Sequence, residues 1–113
     1  MPPRDWRIRV EDIVEAAITI AGFVQGLTHE EFAEDRKTVD AVVRNLEVIG
    51  EAARHVPEEV RTRFPEVPWA DMQDMRNVLI HEYFGVDLPI LWKTVSVDLP
   101  AILPALTRVI GGV

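Results

Sequence analysis

A chain of 113 residues, 48% hydrophobic and 27% charged, is long enough for one packed core, and its composition excludes a disordered chain. It has no cysteine, which excludes disulfide staples and thiolate chemistry. Its formal charge of −7 repels nucleic-acid backbone at long range, so any nucleic-acid chemistry must draw on a local basic cluster or on a partner. No apolar signal segment follows Met1, and no run approaches the roughly 20 apolar residues of a membrane span. A cytoplasmic protein with no membrane association is therefore expected.

Apolar residues Trp6, Val10, Ile13, Val14, Ala17, Ile20, Ala21 and Val24 recur at three- and four-residue steps. They predict a helix from about Asp5 to Gln25, ended by Gly26. Thr28 and Glu31 have the spacing of a capping box for a short helix through about Ala33. Asp35-Arg36-Lys37 leads into a second long helix, with a stripe of Val39, Val42, Val43, Leu46, Ile49, Ala53 and Val56. The opposite face of that helix carries Lys37, Asp40, Arg44, Glu47, Glu51 and His55. Pro57 stops or kinks it. Glu58 to Phe64 suits one or two turns, and Pro65 and Pro68 punctuate a loop.

A third long helix is predicted from about Trp69 to Phe84, with Gly85 as its stop. Asp87 has the character of an N-cap, with Pro89 tolerated in the first turn. The last segment is apolar at Leu88, Leu91, Trp92, Val95, Leu99, Ile102, Leu103, Leu106 and Ile110, and Pro100 and Pro104 are expected to bend or break it. No segment alternates like a strand, and the connections are short. The expectation is an all-α, up-and-down antiparallel bundle of about four to five helices in a single domain over residues 1–113.

The third helix is the informative one. Arg76 falls in the middle of an apolar arc of that helix, flanked by Met72, Met75 and Leu79 on one side and Ile80 and Phe84 on the other. A half-buried guanidinium needs a partner: an internal carboxylate such as Glu47 or Glu51, or a phosphate. Tyr83 stands nearly above Arg76, and His81 lies one turn beyond Asn77. Taken singly, each has a structural explanation. Tyr83 suits an amphipathic core position, His81 suits a helix C-terminus, and Asn77 suits a boundary hydrogen bond. Their joint occurrence in Arg76-Asn77-Val78-Leu79-Ile80-His81-Glu82-Tyr83 is far more specific.

RNVLIHEY matches the RxxxxHxY signature of the HepT-like ribonuclease toxins of the HEPN superfamily, and the chain resembles that family over about Asp5 to Leu99. The stretches DWRIRVEDIVEA, DRKTVDAVVRNLEVIGEAARHVPEEVR and MRNVLIHEYFGVD carry the likeness beyond the motif. The Pro100–Pro104 stretch is richer in proline than the family's last helix. The resemblance implies a HEPN-type endoribonuclease acting as the toxin of a toxin–antitoxin pair. Arg76, Asn77 and His81 would be its catalytic residues and Tyr83 its site of AMP modification. The implied partners are a second copy of the chain, an RNA substrate and a cognate minimal nucleotidyltransferase antitoxin.

These residue types suit metal-independent RNA cleavage by the 2′-hydroxyl. Histidine transfers protons near neutral pH, arginine holds a fixed forked charge against phosphate oxygens, and Asn77 suits positioning of phosphate or ribose. On an ideal helix, Arg76 and His81 point about 140° apart, which a composite site across a two-fold dimer resolves. Arg44, Glu47 and Glu51 are offered as supporting residues. No cofactor is expected. His29, His55 and His81 lack zinc-ligand spacing, so no metal site is expected either. Arg36, Lys37 and Arg44 suit guidance of RNA or, equally, a solvated helix face. Two other readings stand beside the ribonuclease. One is a non-catalytic nucleotide- or RNA-binding partner subunit of a nucleotidyltransferase. The other is a purely structural helical dimer, which the arginine inside an apolar arc disfavours.

Overall fold

The computed structural model describes residues 5–81 and 87–111, with residues 76–81 placed by their backbone. Among the described residues every regular element is helical: α1 (Trp6–Val24), α2 (His29–Glu34), α3 (Arg36–Arg54), α4 (Glu58–Arg63), α5 (Trp69–His81), α6 (Leu88–Lys93), a π-helical turn (Thr94–Asp98) and α7 (Leu99–Gly111). The last three run on as one helix, Leu88–Gly111. The fold is thus four long helices and two short ones, the all-α bundle that the periodicity predicts.

Local chemistry sets the boundaries. Asp5 caps α1 by accepting from the Arg7 backbone N–H at 2.9 Å. Gly26 turns the chain at φ +80°, a conformation that costs glycine little. Thr28 and Glu31 form the full capping box: the Thr28 N–H donates to Glu31 Oε1 at 2.9 Å, and the Glu31 N–H to Thr28 Oγ1 at 3.1 Å. Asp35 caps α3 through Thr38, taking the backbone N–H at 3.1 Å and the hydroxyl at 2.7 Å. Asp87 caps α6 by accepting from Ile90. Pro57 does not kink α3; it follows the end of that helix and is the N-cap of α4.

The stripes bury as expected, with one shift. On α1 the buried residues are Val10, Ile13, Ala16, Ala17, Ile20 and Val24, while Ala21 is exposed. On α3 they include Val39, Val42, Leu46, Ile49 and Ala53. Helix α3 packs against both α1 and α5, and α7 packs against α1. Phe32 of α2 is fully buried and meets Trp92 of α6 at 5.2 Å, while His29 stacks on the same indole at 6.0 Å.

One side chain locks the α3–α5 corner. Arg61 of α4 donates from Nη2 to the Ala53 carbonyl at 2.6 Å and to Gln73 Oε1 at 2.8 Å, and from Nε to the Val56 carbonyl at 3.1 Å. It thereby satisfies the Val56 carbonyl just past α3, shares the Ala53 carbonyl with the Val56 N–H, and ties both to the first turns of α5. Trp69 adds a bond from Nε1 to the Phe64 carbonyl at 3.0 Å.

The prolines of the last segment do not break it. The Leu99 N–H bonds five residues back to the Thr94 carbonyl, so the helix widens by one residue immediately before Pro100 and makes room for its ring. Pro104 sits inside α7. Both prolines face solvent, where water can reach the carbonyls they leave unpaired. Over its most apolar window this 24-residue helix reaches a mean hydropathy of 1.3, long and apolar enough by those measures to cross a membrane. Leu91, Val95, Leu99, Leu106 and Val109 nonetheless sit in the core.

Two stability effects follow. Arg61→Ala should cost about 1–3 kcal/mol in urea denaturation, since it removes three hydrogen bonds that tie the end of α3 to α5. An unchanged midpoint would mean that water replaces the guanidinium. The Asp35 carboxyl titrates below the usual carboxylate range, first because of the Thr38 hydroxyl and then because of the Thr38 backbone N–H. A depressed folded-state value contributes stability above the unfolded pKa, and that stability is lost as pH falls through the folded pKa. Asp35→Asn should therefore flatten the acid limb of a melting-temperature profile, and superimposable profiles would refute this role.

Candidate functional site

Arg76 to His81 of the motif occupy the second half of α5. Met72 and Trp69 anchor the first half in the core, with Met75 packed at its edge. Arg61 fixes the level: Gln73 of α5 stands beside Ala53 of α3, where the two helices meet and run back along one another. At about 1.5 Å of rise per residue on both helices, the Arg76 backbone stands near the level of Gly50, and that of His81 near Asn45. Arg76, Asn77 and His81 are placed by backbone alone. Their side chains, and the whole of Tyr83, lie outside the described residues.

The supporting residues Arg44, Glu47 and Glu51 lie on α3 over the same span of the bundle. They line a cleft of about 330 Å³ between α3 and α1, with Arg9 and Asp12 opposite them and Arg54 at one end. Arg44 Nη1 lies 3.7 Å from Glu47 Oε2. Glu51 Oε1 accepts from Arg54 Nη2 at 3.0 Å and lies 3.1 Å from His55 Nε2. Both carboxylates thus have cationic or imidazole neighbours on their own helix. The expectation that one of them meets Arg76 concerns a side chain outside the described residues.

Sequence reasoning missed Arg9 and Arg54. Arg9 sits on the margin of the α1 stripe, and its Nε is buried with no hydrogen-bond partner. The signal available was its place in that stripe: a charged residue one position before Val10, where the helix turns toward α3. Arg36, by contrast, is 91% exposed and lies 3.6 Å from Asp40 on its own helix. Among the described residues, no three His, Asp or Glu side chains cluster as a metal ion would require.

The chain matches the family model described as "Ribonuclease HepT-like" over residues 13–109. It is 47% identical over 99 residues to "Probable ribonuclease HepT" of Thermococcus cleftensis, covering 88% of this chain and 90% of that one. It is 42% identical over 102 residues to "Putative RNase MJ1380" of Methanocaldococcus jannaschii, covering 90% and 94%. With "Putative RNase TTE0752" of Caldanaerobacter subterraneus subsp. tengcongensis it shares 40% identity over 91 residues, covering 80% and 81%. No solved structure gives a significant match. The all-helical fold of the described residues, the RNVLIHEY sequence and these likenesses agree: the chain belongs to the HepT-like ribonucleases of the HEPN superfamily.

Proposed function

We propose that the protein is a metal-independent endoribonuclease, the toxin of a toxin–antitoxin pair, with a site assembled from the α5 motifs of two chains. The observation that carries this reading is the complete Arg76…His81 motif on one helix of a HepT-like chain. In the proposed reaction, the ribose 2′-oxygen attacks the adjacent phosphorus and its proton passes to a base. The bond from phosphorus to the 5′-oxygen breaks, and that oxygen takes a proton from an acid. A 2′,3′-cyclic phosphate and a 5′-hydroxyl remain. His81 serves proton transfer, Arg76 neutralises the charge gathering on the phosphoryl oxygens, and Asn77 orients the phosphate or ribose. One histidine in each motif, and the 140° or so between Arg76 and His81 on an ideal helix, call for a second copy.

His81→Ala and Arg76→Ala should each lower RNA cleavage by at least about 100-fold with helical content unchanged, the scale of a lost general acid–base or charge-stabilising group. Cleavage abolished by EDTA and restored by a divalent cation would refute the mechanism. A strictly monomeric protein in light scattering at micromolar concentration would refute the composite site.

Regulation falls to Tyr83 in this reading. A partner nucleotidyltransferase would catalyse attack of the Tyr83 hydroxyl on the α-phosphorus of ATP, with pyrophosphate leaving and AMP remaining on the phenol. Tyr83 lies two residues from His81, and the attached phosphate would compete with RNA for Arg76 through charge-assisted hydrogen bonds. Intact mass after co-expression with that enzyme should show an AMP-sized increase that Tyr83→Phe abolishes. An unmodified but silenced wild type would refute modification and leave inhibition by binding.

A further inference from the structure

Helix α5 packs against α3, and α7 against α1, but α5 and α7 are not among the helix pairs that pack together. Among the described residues a groove of about 650 Å³ lies between them. Its floor is apolar: Met72 and Leu99 are buried, and Met75 and Ile102 are half-buried. Ile90 is 63% exposed at its edge. The rim is acidic, with Asp71 and Asp74 from α5 and Asp98 from the π-helical turn, all exposed, and among the described residues no cation lines it. The wider π turn, which accommodates Pro100, also carries Thr94 and Asp98 onto the groove.

We infer that this groove docks a cationic amphipathic helix of another protein, its aliphatic residues entering between α5 and α7 and its lysines or arginines meeting Asp71, Asp74 and Asp98. The volume takes a few aliphatic side chains rather than a whole helix, so the occupant lies along the rim and inserts one face. Charge decides against the other occupants. A second copy seated here would bring the same three carboxylates of each chain together, in a protein of net charge −7. An anionic lipid surface meets the same repulsion. The inference goes beyond the ribonuclease reading and does not depend on it, since none of the described groove residues belongs to the motif.

The test uses the full chain and a labelled, end-capped peptide of leucine and lysine, about 14 residues long, with its leucines at helical spacing. A scrambled peptide of the same composition is the control, and fluorescence anisotropy gives the affinities. The wild type should bind the amphipathic peptide and not the scrambled one. The triple variant Asp71→Asn, Asp74→Asn, Asp98→Asn should bind about tenfold more weakly. A control variant, Glu11→Gln, Glu15→Gln, Glu34→Gln, loses the same charge elsewhere and should stay within about twofold. Ile90→Glu separates the explanations: general charge attraction predicts tighter binding, and the groove predicts weaker binding. Circular dichroism checks that each variant keeps its helix content. The inference is overturned if the scrambled peptide binds equally well, if the groove variants bind as the wild type does, or if Ile90→Glu dissociates a dimer in light scattering without changing peptide affinity. The last result would assign the groove to a second copy.

Discussion

Helix α3 packs against two long helices, α1 and α5, and must satisfy both, and the arrangement of the other helices follows from that. Its buried residues Val39, Val42, Leu46, Ile49 and Ala53 recur at alternating three- and four-residue steps, but Gly50 and Ala52 widen the apolar arc beyond one stripe. Small residues there let a second helix approach closely. The consequence is a layer of three helices, α1–α3–α5, with the C-terminal helix laid against α1. The polar remainder of α3 lies outside that buried arc, and Arg44, Glu47 and Glu51 are part of it. Their shared level with the motif backbone follows from packing, because the Arg61 bridge sets the axial register of α5 on α3.

Much of this was legible in the sequence because it is local. A capping box is four residues, and both of its hydrogen bonds form. Asp35 and Asp87 announce helix starts by the same short-range rule, and the stripes of α1 and α3 are periodic over several turns. What escaped is what periodicity does not encode. Arg61 reaches carbonyls five and eight residues back and an amide twelve residues ahead, from a helix of only six residues. Nothing in the spacing of a lone arginine between two proline-bounded loops says that it will end one helix and start another. The choice of Ala16 over Ala21 for the core of α1 is of the same kind, since two alanines on neighbouring arcs are separated only by which partner helix arrives.

The prolines show where a correct local rule gives an incomplete result. Each removes a donor and crowds the preceding turn, and read alone that means a break. The chain absorbs Pro100 with one i→i−5 bond. It keeps both rings on the solvent side, while Thr94, Ser96 and Thr107 bond back to the carbonyls of Ile90, Trp92 and Leu103. The core face, with Leu99, Leu106 and Val109, is uninterrupted. The motif is the converse case. Its residue types were legible without any structure, because Arg76, His81 and Tyr83 within eight residues of sequence are a chemical combination rather than a packing pattern.

An acidic ribonuclease has an electrostatic difficulty that this arrangement eases. With a formal charge of −7, diffuse attraction cannot gather RNA, so cations must be concentrated where carboxylates are already engaged. The cleft between α1 and α3 follows that rule: Glu47 and Glu51 lie against Arg44, Arg54 and His55, which leaves the local balance near neutral instead of negative. The uncompensated carboxylates gather elsewhere, and Asp71, Asp74 and Asp98 rim the groove with no described cation among its lining. The same net charge that hinders RNA at a distance therefore leaves two surfaces of opposite character on one small bundle. One is balanced, at the level of the motif, and the other is acidic around an apolar floor. Polynucleotide binding at the acidic surface is disfavoured by repulsion alone, so the two faces can serve different partners without competing for one.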